Sequence, residues 1–290
     1  MLSGANTPRI HSAISLGHIS RGGQISNRDA ASVPFQLTQD KSIIMTEKPY
    51  VIFTLRRTGG TSLTGFLTKV SHFPSSQHEP LNKDRVWGYI AQDYAKTGDA
   101  ATMEAALLNV LKPRPNIKHC IEICHPAITR SLITQTAALG YKTFVLTRRD
   151  EVGRQLSLAL SKVTGAWGPE QAAKIYPLII SGEKQLPPLD LVKPLRQVNH
   201  DAVALGRTLT QLRNQQVPFE WLVFEELYKG DIPIETHARN IAAQLGITIA
   251  ADDPRLNNFG ERGAQGSRAI EPYVVGLAKL RKALAKQIFN

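Results

Sequence analysis

From Pro49 onward, short apolar runs alternate with longer segments in which apolar residues recur every three or four positions. PYVIFTL, starting at Pro49, reads as a strand, and Thr61 to Val70 as a helix with Leu63, Phe66, Leu67 and Val70 on one face. The segment FPSSQHEPLN, with two prolines, reads as a loop. Val86 to Leu111 has helical spacing, Asn116 to Cys124 reads as a strand, and Ile128 to Leu139 as a helix ended by Gly140. KTFVLT is a strand, followed by an amphipathic helix over Glu151 to Val163. Residues 168–196 are punctuated by Pro and Gly and are expected to be irregular with one short helix. Val198 to Asn214, FEWLVF and Thr236 to Leu245 then read as helix, strand and helix, and a basic helix spans Val274 to about Ile288. Strands separated by helices predict an α/β fold: a central parallel sheet with helices on both faces. Ligands of such sheets sit at the carboxyl ends of the strands.

Residues 1–48 are different. They are rich in Ser, Gly, Asn and Arg, carry no acid before Asp29, and show no periodicity and no apolar core of a secretory signal. They are expected to be a disordered or non-native leader, with Met45 as a working start. An organelle-targeting peptide is the alternative. Residues 49–290 are expected to form a single domain.

Composition narrows the class. A chain of 290 residues that is 42% hydrophobic can bury a substantial core. No apolar run reaches the roughly 20 residues of a membrane span. The formal charge of +11 suits a polyanionic partner. The basic residues are spread along the chain rather than gathered in a tail, which argues against nucleic acid. The two cysteines, Cys120 and Cys124, make no disulfide framework and point to a reducing, cytoplasmic setting. In KHCIEICHP, strand alternation would send Cys120, Glu122 and Cys124 to one face and His119 to the other. No metal is expected there.

The chemistry concentrates in two loops. TLRRTGGTSL follows the first strand and opens the first helix, so it presents free helix-start N–H groups to an anion. Gly59 and Gly60 let the backbone wrap closely, Arg57 adds a planar charged fork, and Thr58, Thr61 and Ser62 add hydroxyls. The lysine of an ATP-type phosphate loop is missing. In the second loop, KTFVLT ends in Arg148, Arg149 and Asp150, with Asp150 as helix N-cap. Ser157, two turns along, falls on the face of Asp150. Two anion sites at strand ends suggest one ligand with two phosphate-like groups.

Together these stretches resemble PAPS-dependent sulfotransferases (PAPS is 3′-phosphoadenosine 5′-phosphosulfate), most of all the bacterial trehalose and nodulation-factor group. FVLTRRDEVGRQLSLALSKVTGAWG resembles the second half of that nucleotide site, and Arg57-Thr58-Gly59-Gly60-Thr61 its 5′-phosphosulfate loop. VPFEWLVFEEL with AAQLGI resembles the late strand and helix, so the likeness runs from about Pro49 to Gly246. The sequence departs from the pattern where Arg56 replaces a common proline and Gly60 a hydroxyl residue.

The resemblance implies a fold like that of the P-loop NTPases and transfer of a sulfuryl group from PAPS, without metal, to a hydroxyl of a small molecule or carbohydrate. It implies that Arg57 contacts the 5′-phosphosulfate, with the Gly59, Gly60 and Thr61 N–H groups and the Thr61 and Ser62 hydroxyls around the phosphate. Arg149 and Ser157 would bind the 3′-phosphate. Arg262 and Arg268, in FGERGAQGSR, resemble a covering loop. Glu79 resembles the group's proposed base, and His125 resembles the base of cytosolic animal enzymes. Trp167 either faces the acceptor or packs the core. Homodimer formation is left open. The alternatives are a P-loop-like kinase or hydrolase, a basic nucleic-acid binder, or a nucleotide binder without transfer activity.

Overall fold

The computed structural model describes residues 46–76, 78–256, 259 and 266–289. Arg262, and the expected leader apart from residues 46–48, lie outside the described residues. Four strands, β1 (Tyr50–Thr54), β2 (Ile117–Cys120), β3 (Lys142–Thr147) and β4 (Phe219–Val223), form one sheet in the order β2-β1-β3-β4. Every pairing is parallel. The chain is therefore α/β, with helices on both faces of the sheet.

Side chains alternate across a strand, so each strand feeds two cores. Tyr50, Ile52, Phe144 and Leu146 enter one, with Leu63, Phe66 and Leu67 of α1 (Gly60–Val70) and Ile241 of α9 (Ile234–Gln244). Val51, Phe53, Ile117 and Val145 enter the other. There they meet Leu107 of α3 (Ala100–Leu111), Leu132 of α4 (Pro126–Ala138) and Leu212 of α7 (Val192–Asn214). Burial on both faces explains why β1 and β3 read as near-continuous apolar runs. A third core joins α5 (Glu151–Thr164), α6 (Pro169–Ile180) and α10 (Leu277–Phe289) through Leu160, Tyr176 and Leu280. The remaining helices are α2 (Gly88–Thr97) and the short α8 (Phe224–Lys229). No helix among the described residues is long and apolar enough to cross a membrane.

Three expectations need correcting. Helical spacing over Val86 to Leu111 is broken at Gly98, which takes a left-handed conformation, and Asp99 caps a new helix by accepting from the Thr102 N–H. The strand expected to reach Cys124 stops at Cys120, where the chain turns and the Ile123 N–H bonds back to the Cys120 carbonyl at 3.2 Å. Periodicity could not show this, because Ile121 and Ile123 continue the alternation. The region expected to be irregular with one short helix does hold one, the 12-residue α6, with Pro169 at its first turn, where the missing N–H costs nothing, but it also holds the start of α7.

Register aligns the strand ends. Thr54 pairs with Cys120 and Leu146, and Leu146 with Leu222. The segments carrying Arg57, Glu122, Arg149 and Glu225 therefore all leave the sheet at its carboxyl edge.

Candidate functional site

The loop between β1 and α1 is pinned from several sides. The Thr58 hydroxyl is buried; it bonds the Leu55 carbonyl at 2.7 Å and the Thr54 hydroxyl. It therefore faces the loop's interior and is not presented to a ligand. Gly59 has φ +81, and a Cβ there would lie 2.6 Å from the Phe224 ring. Its carbonyl accepts the Tyr228 hydroxyl at 3.1 Å. The late strand-to-helix corner thus supports the first loop, and only glycine satisfies both backbone and space. Thr61 is exposed and Ser62 half-buried in the first turn of α1, whose leading N–H groups lack intrahelical acceptors.

Arg56 is tied down rather than loose. Its N–H and Nε donate to Glu122 Oε1 at 2.9 and 2.8 Å, and its guanidinium lies 6.0 Å from the Trp167 ring centroid. Its carbonyl accepts Arg154 Nη1 at 3.0 Å. These bonds do the stiffening that a proline would do. The turn at Ile121 serves the same end, since it brings the fully buried Glu122 side chain under the loop.

Arg57 follows in left-handed conformation, φ +67. That geometry costs a non-glycine residue roughly 1–2 kcal/mol. Among the described residues only four non-glycines have positive φ, and two of them are Arg57 and Glu79, both candidate site residues. Arg57 Nε donates to Ser157 Oγ at 2.9 Å and Nη1 to the Trp167 carbonyl at 3.2 Å. Burial lowers its pKa, Tyr176 raises it, and the neighbouring Arg148 lowers it further, for a net fall from the usual arginine value. Tyr176, from α6, is a residue the sequence reading missed.

The second loop is organised by acids. Asp150 caps α5 through the Gly153 N–H at 2.8 Å, as predicted. Glu225 accepts the Arg149 and Asp150 N–H groups at 2.9 and 3.2 Å. The exposed Arg149 side chain pairs with Glu226, so it is not joined to Ser157, which Arg57 engages instead. Arg148 lies over the Phe224 ring and donates to the Arg57 carbonyl at 3.4 Å, linking the two loops. Arg268 is exposed in the 3₁₀ segment Ser267–Tyr273.

Glu79 and His125 are placed very differently. Glu79 Oε1 lies 2.8 Å from Lys118 Nζ, and Oε2 accepts Asn82 Nδ2 at 2.7 Å. Burial pushes its carboxyl up, but Lys118, with hydrogen bonds from Lys118, Cys120 and Asn82, outweighs this and holds it at about 2. His125 caps α4, its Nδ1 accepting the Ala127 N–H at 3.2 Å, and packs edgewise on Tyr94. The neighbouring His119 is buried and held down at about 4, so it is neutral at pH 7. Burial likewise pushes the Cys120 thiol well up and Cys124 to about 12, so both remain thiols. Among the described residues no group of three or more His, Cys, Asp and Glu is arranged to hold a metal ion.

The folded pKa of Glu79 lies below its ordinary value of 4.5, so its contribution to stability is full above pH 4.5 and is lost as pH falls through about 2. The stability gap between wild type and Glu79→Gln is expected to narrow over that window in acid-series urea titrations. A gap independent of pH would show that the ion pair carries no such linkage.

Lys118 was also missed from sequence. It lies 4% exposed in β2, with Nζ 3.4 Å from Thr61 Oγ1 and Cδ 3.0 Å from where a Cβ on Gly60 would be. A side chain at Gly60 would therefore crowd this lysine's stem, which would have to give by a few tenths of an ångström. The available signal was a lysine inside an apolar strand, a position that demands a partner. No family model matches the chain, and no curated protein is significantly similar to it.

Proposed function

We propose that the protein is a PAPS-dependent sulfotransferase acting on a hydroxyl of a small molecule or carbohydrate. The observation that carries this reading is the 2.9 Å bond from Arg57 Nε to Ser157 Oγ, which brings the two anion-binding motifs together at the carboxyl edge of the sheet. The surroundings fit an anionic nucleotide: a guanidinium, hydroxyls, a glycine-wrapped helix start and a buried lysine.

When bound, PAPS supplies a sulfuryl group whose sulfur is attacked in line by the acceptor oxygen while its bond to the 5′-phosphate oxygen breaks. Arg57 and Lys118 would stabilise charge on that leaving oxygen, and the first turn of α1 would hold the phosphate. Ser157 orients Arg57, and Arg149 would swing from Glu226 to the 3′-phosphate. Trp167 is 43% exposed beside Arg56, so its ring offers an acceptor platform rather than core packing. The acceptor proton goes to Glu79, which Lys118 keeps ionised at neutral pH. His125 is the weaker choice of base, since its Nδ1 is committed to the α4 cap and its Nε2 then carries the proton in the neutral ring.

Lys118 also favours a second reading, a kinase or nucleotide hydrolase, because it supplies from β2 the cation that the loop lacks. Calorimetry separates the two. The sulfotransferase predicts binding of 3′,5′-bisphosphoadenosine without Mg²⁺, weakened by Arg149→Ala. Absence of that binding, with Mg²⁺-dependent ATP binding in its place, would overturn the first reading.

A further inference from the structure

Lys118 Nζ sits at the amino end of α1, where the helix dipole is positive, an unfavourable place for a buried ammonium. What balances it is Glu79, a loop residue held in left-handed backbone at φ +59 and anchored by Asn82. The Glu79 carboxylate therefore occupies the charge position that an anionic ligand on this loop would take. Its other close neighbour is the Cys120 thiol, and His119 nearby is neutral.

We infer that Lys118 is exchanged between two anions, pairing with Glu79 in the empty site and with the 5′-end of the ligand in the loaded one. Ligand binding then releases Glu79 from its counter-ion and leaves it a stronger base, so proton abstraction is coupled to donor occupancy. Without donor, Glu79 stays pinned and the acceptor hydroxyl is not activated. This coupling rests on the sulfotransferase reading, while the charge exchange itself needs only an anionic ligand.

The test is a double-mutant cycle read by calorimetry with 3′,5′-bisphosphoadenosine. Glu79→Gln removes the competitor and is expected to tighten binding about tenfold, while Lys118→Met weakens it by about the same factor. In the Lys118→Met background, Glu79→Gln is expected to gain nothing. A gain that persists without Lys118, or no gain from Glu79→Gln in a wild type that binds, overturns the exchange and leaves the sulfotransferase reading standing. If no variant binds the bisphosphate, that reading fails instead, and the cycle is repeated with pyrophosphate. A Lys118-dependent gain there upholds the exchange, and its absence overturns it. Should Glu79→Gln fold poorly, Glu79→Asp, one methylene shorter, is expected to show a smaller gain of the same sign, and no gain overturns the exchange.

Discussion

Asp201→Ala is expected to cost about 3–5 kcal/mol of folding stability. Asp201 and Arg154 are 1% and 0% exposed at their side chains and meet at 2.5 Å. The Asp201 carboxylate also accepts Gln155 Nε2 at 2.9 Å and Gln197 Nε2 at 2.7 Å. Removing it leaves Arg154 with one carboxylate, Glu151, which is partly exposed. A buried guanidinium stripped of its internal partner loses more than the pair contributed, because water cannot replace the carboxylate. The effect should reach the site, since Arg154 Nη1 holds the Arg56 carbonyl. Urea unfolding measures the loss. A change below about 1 kcal/mol would mean that the pocket rehydrates and the pair is not needed.

On the proposed sulfotransferase reading, Arg57→Ala is expected to lower sulfuryl transfer by about 10²–10³-fold, as loss of a preorganised oxyanion donor does. Its fork spans Ser157 and the Trp167 carbonyl, so Arg57→Lys should recover little, since one ammonium cannot copy two directed N–H bonds. Stability should change by less than about 1 kcal/mol, because the lost bonds lie at a half-exposed loop whose strain persists with alanine. Single-turnover assays with labelled PAPS, alongside thermal unfolding, separate the two effects. A loss of transfer under about threefold would remove Arg57 from the reacting centre.

Much of the frame was readable in advance. β1 and β3, buried on both faces, announce themselves as apolar runs, and the Asp150 cap marks the start of α5. The two loops that meet through Arg57 and Ser157 were legible as strand-to-helix junctions rich in glycine, arginine and hydroxyl residues. The failures were also physical. At Ile121 the alternation persists while the chain turns, so pattern and path part company. In α6, prolines at 169 and 177 made a 12-residue helix, whose inner face packs on the third core, read as a short one in an irregular region.

The two departures from the sulfotransferase pattern show the limit best. Arg56 looked like a loss of stiffness and Gly60 like a loss of a hydrogen bond. In the structure Arg56 is held by Glu122 and Arg154, and Gly60 lies close over the stem of Lys118.

The sequence by itself determined the order of elements, the parallel character of the sheet and the two strand-to-helix loops rich in glycine and arginine, because periodicity and turn chemistry act over a few neighbouring residues. Only the tertiary structure decided which charges face each other. Arg57 and Ser157 lie 100 residues apart, and Arg149 turns to Glu226 rather than to Ser157. Lys118 reaches Glu79 because β2 pairs beside β1. Strand order, register and burial set those partners, and none of the three is written in local spacing.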